Sequence, residues 1–326
     1  MEAGLVERAG IPFKTIPAAA VHGVDIKSLP GNLSALARGT VAARGILNEF
    51  KPDVLFFTGG YVAVPVALAG RKIPSLLYVP DIEPGLALKA LARFAKRITL
   101  TTEESKQYFS SKADLVVTGY PIREEIARWD KATARKHLGL NTGTMPVVLI
   151  FGGSKGARSI NLALLEHITT LLEQVEVLHI SGELDWPVVQ KTRETLSTEQ
   201  ASRYHAYPYL HEDMGAALAT ADLVVSRAGA SVLGEFPQFG IPAILVPYPH
   251  AWRYQKINAN SLTNRGAALM IEDAKLKSGL YLTIEKLLET PEKLDAMRAA
   301  MLTLRMPDAA GKIAAQLCEL AGDKHD

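Results

Sequence analysis

Cysteine is almost absent from this 326-residue chain: Cys318 is the single thiol. No disulfide can close within it, and no His/Cys set has zinc spacing. Cys318 itself reads as a small apolar residue packed on the last helix. Net charge is nearly lacking as well, with 36 Lys and Arg against 34 Asp and Glu leaving +2. That balance gives no footing for nucleic acid as a partner. No apolar stretch of about 18 residues runs free of charge, so none reads as membrane-spanning. The opening MEAGLVERAG carries Glu2 and Glu7 where a signal peptide would be basic and then apolar. These absences together lead to the expectation of a reducing, cytoplasmic chain.

What is present is a large core in the making. Hydrophobic residues make up 48% and charged residues 21%, and the length favours two domains. Short apolar runs alternate with helix-length segments, the pattern of parallel βαβ architecture. Strands are expected at 54–58, 75–79, 98–101 and 115–117, with helices at 33–50, 62–69, 86–95, 103–109 and 123–140. After a linker at 141–144 a second series follows. Its strands fall at 147–151, 175–181, 203–206, 223–226, 243–246 and 268–271. Its helices fall at 157–172, 187–196, 213–220, 231–239, 255–265, 279–289 and 291–302, with a last one ending near 322. The expected class is α/β, two doubly wound Rossmann-like domains with a ligand cleft. Their expected limits are 1–143 and 144–305, and a terminal helical segment, 306–326, packs back on the first.

Three segments carry chemistry. Phe151-Gly-Gly-Ser-Lys-Gly-Ala-Arg-Ser-Ile-Asn161 leaves a buried strand and opens a helix, where exposed amides and the helix N-terminus favour a diphosphate. Ser154 adds a hydroxyl donor, and Lys155 is either a phosphate clamp or a solvated side chain. Ser226-Arg-Ala-Gly-Ala-Ser-Val-Leu-Gly-Glu235 repeats that layout. Glu235, one turn into its helix, can accept from two vicinal hydroxyls or simply complement the helix dipole. In Pro247-Tyr-Pro-His-Ala-Trp-Arg-Tyr-Gln-Lys-Ile-Asn258, Gln255 and Asn258 share a helix face. His250 is a ligand contact or a loop anchor.

In this order, the three blocks resemble the donor-binding motifs of the MurG-type transferases of glycosyltransferase family 28. The register extends to Lys51-Pro-Asp-Val with Gly59-Gly-Tyr-Val, Gly119-Tyr-Pro-Ile-Arg123 and Met306-Pro-Asp-Ala-Ala, covering essentially the whole chain. The resemblance implies a GT-B fold. It implies transfer of N-acetylglucosamine from UDP-GlcNAc to a lipid-linked muramyl-pentapeptide acceptor, with inversion, no cofactor and no essential bound metal. No acidic DxD pair stands where a cation would be needed. By the same resemblance Leu210 presents backbone to uracil and Glu235 binds ribose. Ser154, Lys155, Gly156, Ala157, Arg227, Ala228, Gly229 and Ala230 surround the diphosphate. Gln255 and Asn258 reach the sugar, and Arg123 approaches from the first domain.

The chain departs from the family pattern at three places. The family opens with a strand, a glycine-rich loop ending in histidine and a helix, whereas Met1 here aligns with an internal family position. The expectation is therefore a misassigned start or a truncated gene, lacking on the order of forty residues, and the catalytic base is left open. Where the family carries His-Glu-Gln-Asn, this chain reads Tyr78-Val-Pro-Asp81. Asp81 is then either a candidate base or a turn-former ahead of Pro84-Gly85. Tyr254 replaces a glutamine that would touch the sugar. The open alternatives are a related transferase with another acceptor, a UDP-GlcNAc epimerase, or a catalytically silent UDP-sugar-binding protein. For the lipid-linked acceptor, residues 86–97 form a basic, apolar helix. Its Lys89, Arg93, Phe94, Lys96 and Arg97, with Arg71 and Lys72, can lie on an anionic membrane surface or simply be the solvated face of a packed helix.

Overall fold

In the computed structural model, runs of leucine and β-branched residues become short parallel strands, and the segments between them become covering helices. The structure describes residues 6–7, 9–19, 25, 29–141, 143, 145–153, 156–250 and 253–322. Two compact units result. One holds residues up to Val79, Pro84–Val117 and the segment from Lys312; the other holds Pro80–Glu83 and Thr118–Gly311.

The first unit contains α1 (Leu29–Phe50), β1 (Leu55–Phe57), α2 (Ala63–Ala69), β2 (Ser75–Val79), α3 (Leu86–Leu91), β3 (Arg97–Leu100) and β4 (Leu115–Val117). Its sheet has the order β1-β2-β3-β4, every pair parallel. Leu77, Val79, Ile98 and Leu100 pack with Leu88 and Leu91 of α3 on one face. On the other, Leu76 and Tyr78 meet Ile313 and Leu320 of the C-terminal helix Ala309–Gly322. The phase of that helix corrects the expectation for Cys318. Residues 313, 317 and 320 share the inward face, which leaves the thiol exposed.

The expected 86–97 helix is also shorter than its sequence pattern. It ends at Leu91 because Lys96 donates its amide to Ser75 O and Arg97 already pairs with Leu76 in the sheet. Arg97 is half-buried, bonded to Asp114, Gln316 and Glu319, so it is a structural cation and no part of a free basic face.

The second unit contains α4 (Glu124–Ala127), α5 (Lys131–His137), β5 (Val147–Phe151), α6 (Arg158–Leu165), α7 (Ile168–Leu171), β6 (Glu176–Ile180), α8 (Trp186–Arg193), α9 (Thr198–Arg203) and β7 (Tyr204–Tyr207). It continues with α10 (Met214–Thr220), β8 (Leu223–Ser226), α11 (Val232–Phe239), β9 (Ala243–Leu245), α12 (Tyr254–Asn264), β10 (Ala268–Met270), α13 (Leu276–Leu288) and α14 (Pro291–Leu302). Its six parallel strands run β10-β9-β8-β5-β6-β7. The chain therefore reverses direction across the sheet between β5 and β8, and a crevice opens there at the carboxyl ends of the strands. Val148 and Ile150 join Ile160, Leu164 and Ile284 in the larger core. Strand alternation turns Val147 and Leu149 to the opposite face.

Two expected helices are broken. The 123–140 stretch restarts at Asp130, whose side chain caps the amides of Ala132 and Thr133 at 2.9 and 3.0 Å. The 157–172 stretch breaks at His167. The compact units also divide elsewhere than at residue 143. Residues 118–143 lie with the second unit because α4 and α5 pack on α10, with Ala134 against Ala216 and Ala219. Among the described residues no helix is long and apolar enough to cross a membrane.

Candidate functional site

The turns after β5 and β8 flank the point where strand order reverses. The first is very tight: a Cβ on Gly152 would lie 2.2 Å from the Ala157 amide nitrogen. Gly156 has φ +76°, and a Cβ there would come within 2.2 Å of Ser181 O. No other residue fits at either place, and the turn is closed by the Gly156 amide donating to Gly153 O at 2.9 Å. The second turn, Arg227 to Ser231, leads into α11. The two turns line one cavity of about 850 Å³ together with Arg158, Leu184, Asp185, Tyr248, Pro249, His250, Gln255 and Asp273.

Among the residues expected to hold a donor, Gly156, Ala157, Arg227, Gly229 and Gln255 line this cavity. Ser154 and Lys155 lie outside the described residues. Arg227 is held down: Nη1 donates to Asp273 Oδ1 at 2.5 Å and to Val246 O, and Nη2 donates to Ser159 Oγ at 2.9 Å. Its guanidinium also lies 5.3 Å from the centroid of the Tyr248 ring. It shapes the cavity wall as an ion pair. Gln255 accepts the Tyr248 amide on Oε1 at 2.8 Å, which leaves its two N–H donors for a ligand.

Ala228, Ala230, Leu210, Glu235, Asn258 and Arg123 are not among the residues lining the cavity. Leu210 follows β7 at the same edge of the sheet. Asn258 is fully enclosed, and its carboxamide is spent within the unit. Oδ1 accepts the Ile82 amide at 3.2 Å, while Nδ2 donates to Asp81 Oδ1 at 2.8 Å and Ala228 O at 3.1 Å. Asn258 thus ties segment 80–83 to the second turn, where the sequence put it against the sugar. Beside it, Arg253 grips the Glu83 carboxylate with two bonds of 2.5 Å. These contacts fix Asp81. Burial pushes its carboxyl above the usual range, and the Asn258 hydrogen bond opposes that rise.

Glu235 and Arg123 belong to the same polar cluster. Burial raises the Glu235 carboxyl, against the Ser231 hydrogen bond and the Arg123 charge. Tyr120 sits among them with its phenol pushed up by burial, then by Glu235 and Asp81, and held back by Arg123. A half-buried carboxyl with a cation beside it suits paired hydroxyls as ligands.

Sequence reasoning missed Arg158, Asp185 and Asp273 as cavity residues. Arg158 stands inside the first motif, directly after Gly156-Ala157, so its place was within reach. Asp273 follows β10 at the carboxyl edge of the sheet, which is visible only once strand order is known.

Residues 147–313 match the glycosyltransferase family 28 C-terminal domain, and residues 1–100 match the glycosyltransferase family 28 N-terminal domain. A relative from Roseiflexus sp. (strain RS-1), named UDP-N-acetylglucosamine--N-acetylmuramyl-(pentapeptide) pyrophosphoryl-undecaprenol N-acetylglucosamine transferase, is 39% identical. That alignment covers 96% of this chain and 80% of the relative. A protein of the same name from Desulforudis audaxviator is 38% identical over 99% of this chain and 88% of its own. Among solved structures, Acinetobacter baumannii MurG superposes with a TM-score of 0.73 at 24% identity, covering 98% of this chain and 88% of that one. UDP-GlcNAc 2-epimerase from Neisseria meningitidis, bound to UDP-GlcNAc, reaches 0.67 at 14% identity over 98% and 88% of the two chains. At these identities the two structures speak for the fold alone.

Proposed function

The chain belongs to glycosyltransferase family 28, and on that premise we propose that it makes the lipid-linked disaccharide of peptidoglycan. It transfers N-acetylglucosamine from UDP-GlcNAc to the pyrophosphoryl-undecaprenol N-acetylmuramyl-pentapeptide. The observation that carries the reading is the single cavity walled by two amide-rich turns at the reversal of strand order. Amides and the starts of α6 and α11 there can take the charge of a departing diphosphate.

The reaction inverts the anomeric carbon in one displacement. An acceptor hydroxyl attacks C1 of the sugar, the bond from C1 to the β-phosphate oxygen breaks, and UDP leaves with the electron pair. Asp81 is the base in this reading, because a carboxyl raised by burial sits nearer to working pH. Glu235 takes the ribose hydroxyls, and the N–H donors of Gln255 reach the sugar. No metal is required, since amides and helix ends supply the positive field. UDP release from UDP-GlcNAc, dependent on a soluble acceptor analogue, tests the whole reading. UDP binding without acceptor-dependent release would leave only a donor-binding protein.

The lipid acceptor needs an approach to the inner face of the membrane. In the first unit Tyr61, Val62, Leu68, Leu86 and Phe94 are exposed apolar side chains, accompanied by exposed Arg71, Lys72, Lys89, Arg93 and Lys96. Helices α2 and α3, which carry or adjoin several of them, pack together. Apolar area plus positive charge holds the protein peripherally on anionic lipid. Flotation with anionic but not neutral vesicles is the expected result, and protein left in the bottom fraction in both cases would remove this part.

A further inference from the structure

Beneath the first turn runs a buried line of polar groups that the transfer reaction does not itself use: Tyr204, His179, Asn161 and Asp185, all within the second unit. Its bonds have one consistent direction. Asn161 Nδ2 lies 2.8 Å from Ser181 O and 2.9 Å from Asp185 Oδ2. Both partners only accept, so the amide nitrogen must point to them and Oδ1 must face His179. His179 Nε2, 3.0 Å from Asn161 Oδ1, therefore carries the hydrogen. Nδ1 is then bare and accepts the Tyr204 hydroxyl at 2.8 Å. Burial keeps the Tyr204 phenol protonated and holds the His179 pKa down at about 3, so neither partner changes state at working pH.

The line ends at the cavity. Asp185 receives Asn161 on Oδ2 and Arg158 on Oδ1 at 3.1 Å, and both Asp185 and Arg158 line the donor cavity. Asn161 also closes the first turn of α6 by donating its backbone amide to Ala157 O at 2.9 Å. Its Nδ2 holds Ser181 O, the atom against which Gly156 is folded. One carboxamide thus fixes the back of the turn and occupies one oxygen of a carboxylate that lines the donor cavity. A carboxylate left uncovered there would repel the ligand.

We infer that His179, backed by Tyr204, is a positioning residue for the donor diphosphate: it locks the Asn161 carboxamide so that Asp185 stays covered and the Gly156 turn stays in place. This rests on the UDP-sugar reading given above. Without the Nε2 donor, Asn161 Oδ1 is left unpaired in the core. Turning the amide to relieve it would set Oδ1 against the Asp185 carboxylate. The role therefore concerns phosphate rather than base or ribose.

Calorimetric titration of the full chain with UDP and with uridine tests it. His179→Leu should weaken UDP about tenfold, the loss of one buried, charge-linked arrangement, and uridine by no more than about twofold. His179→Gln can still donate to Asn161 and accept from Tyr204, and should recover most of the UDP affinity. Tyr204→Phe, which only removes the far hydroxyl, should weaken UDP about threefold and keeps the test decisive if His179→Leu fails to fold. In steady state the donor KM should rise with kcat nearly unchanged, whereas mere loss of folded protein lowers kcat at constant KM. Equal losses for UDP and uridine, or UDP binding in all three variants as tight as in the unaltered chain, would overturn the inference. An unaltered chain that fails to bind UDP at all would instead bring down the donor reading, and this inference with it.

Discussion

Replacing Asn258 should damage the second unit more than any surface change, because three polar partners converge on one enclosed carboxamide. Asn258→Ala leaves the Ile82 amide, the Ala228 carbonyl and the Asp81 carboxylate each short of a bond. Two neutral bonds at about 1 kcal/mol and one to a charged group at about 2 give a loss of about 4 kcal/mol. With a urea slope of about 3 kcal/mol per molar, the unfolding midpoint of this unit falls by about 1.3 M. UDP binding weakens at the same time, since Ala228 belongs to the second turn. The companion variant Asn258→Asp adds a pH signature. Two carboxyls then face each other across about 3 Å and share one proton. Stability should approach that of the unaltered chain in acid and decline as pH rises above the ordinary carboxylate range. Equilibrium unfolding in urea at pH 5 and pH 8 reads both effects. An Asn258→Ala midpoint within a few tenths molar of the original, or an Asn258→Asp midpoint indifferent to pH, would refute the reasoning.

Three further outcomes are expected. His179 falls from an ordinary 6.5 to about 3 on folding, so its folded state prefers the neutral ring; its contribution is complete above 6.5 and is lost as pH drops toward 3. That slope is about 1.4 kcal/mol per pH unit, and acid titrations of His179→Gln should lack it. Gly156→Ala should abolish detectable UDP binding and also lower the unfolding midpoint, because the new methyl meets the backbone oxygen of Ser181 and φ is positive; calorimetry and urea unfolding give the answer. Arg135→Met strips a cation from Glu176, which is wholly buried and also holds the Asn141 amide and His205. A loss of about 3 kcal/mol in urea unfolding follows.

The strands were readable where apolar runs are short and bounded, as in Ser75–Val79 and Val147–Phe151, whose limits coincide with the structure. Helix α9 went unread although Ser197 and Gln200 form a capping box, a local signal three residues apart. The division of 123–140 was equally legible from Asp130 ahead of Ala132 and Thr133. The site was legible in its glycine turns, which are local, and illegible in what holds them. Asn258 meets Asp81 across 177 positions of sequence, and Arg227 meets Asp273 across 46. Only the strand order brings such pairs together, and no periodicity encodes it. Tyr204 and His179 stand in neighbouring strands β7 and β6, so each looks like an ordinary core residue until the sheet is assembled.

Segment Pro80–Glu83 is encoded inside the first unit yet belongs structurally to the second. The protein therefore cannot be dissected with a single cut. A fragment of residues 118–311, expressed alone as a donor-binding half, would keep both glycine turns but would lose Asp81, Ile82 and Glu83. Asn258 would then be left holding only Ala228, and Arg253 would be stripped of Glu83. The same holds for chimaeras: a second half transplanted onto another enzyme's first half inherits whatever tetrapeptide that enzyme carries after its second strand. A transplanted second half keeps the Asn258 and Arg253 contacts only if those four residues travel with α12.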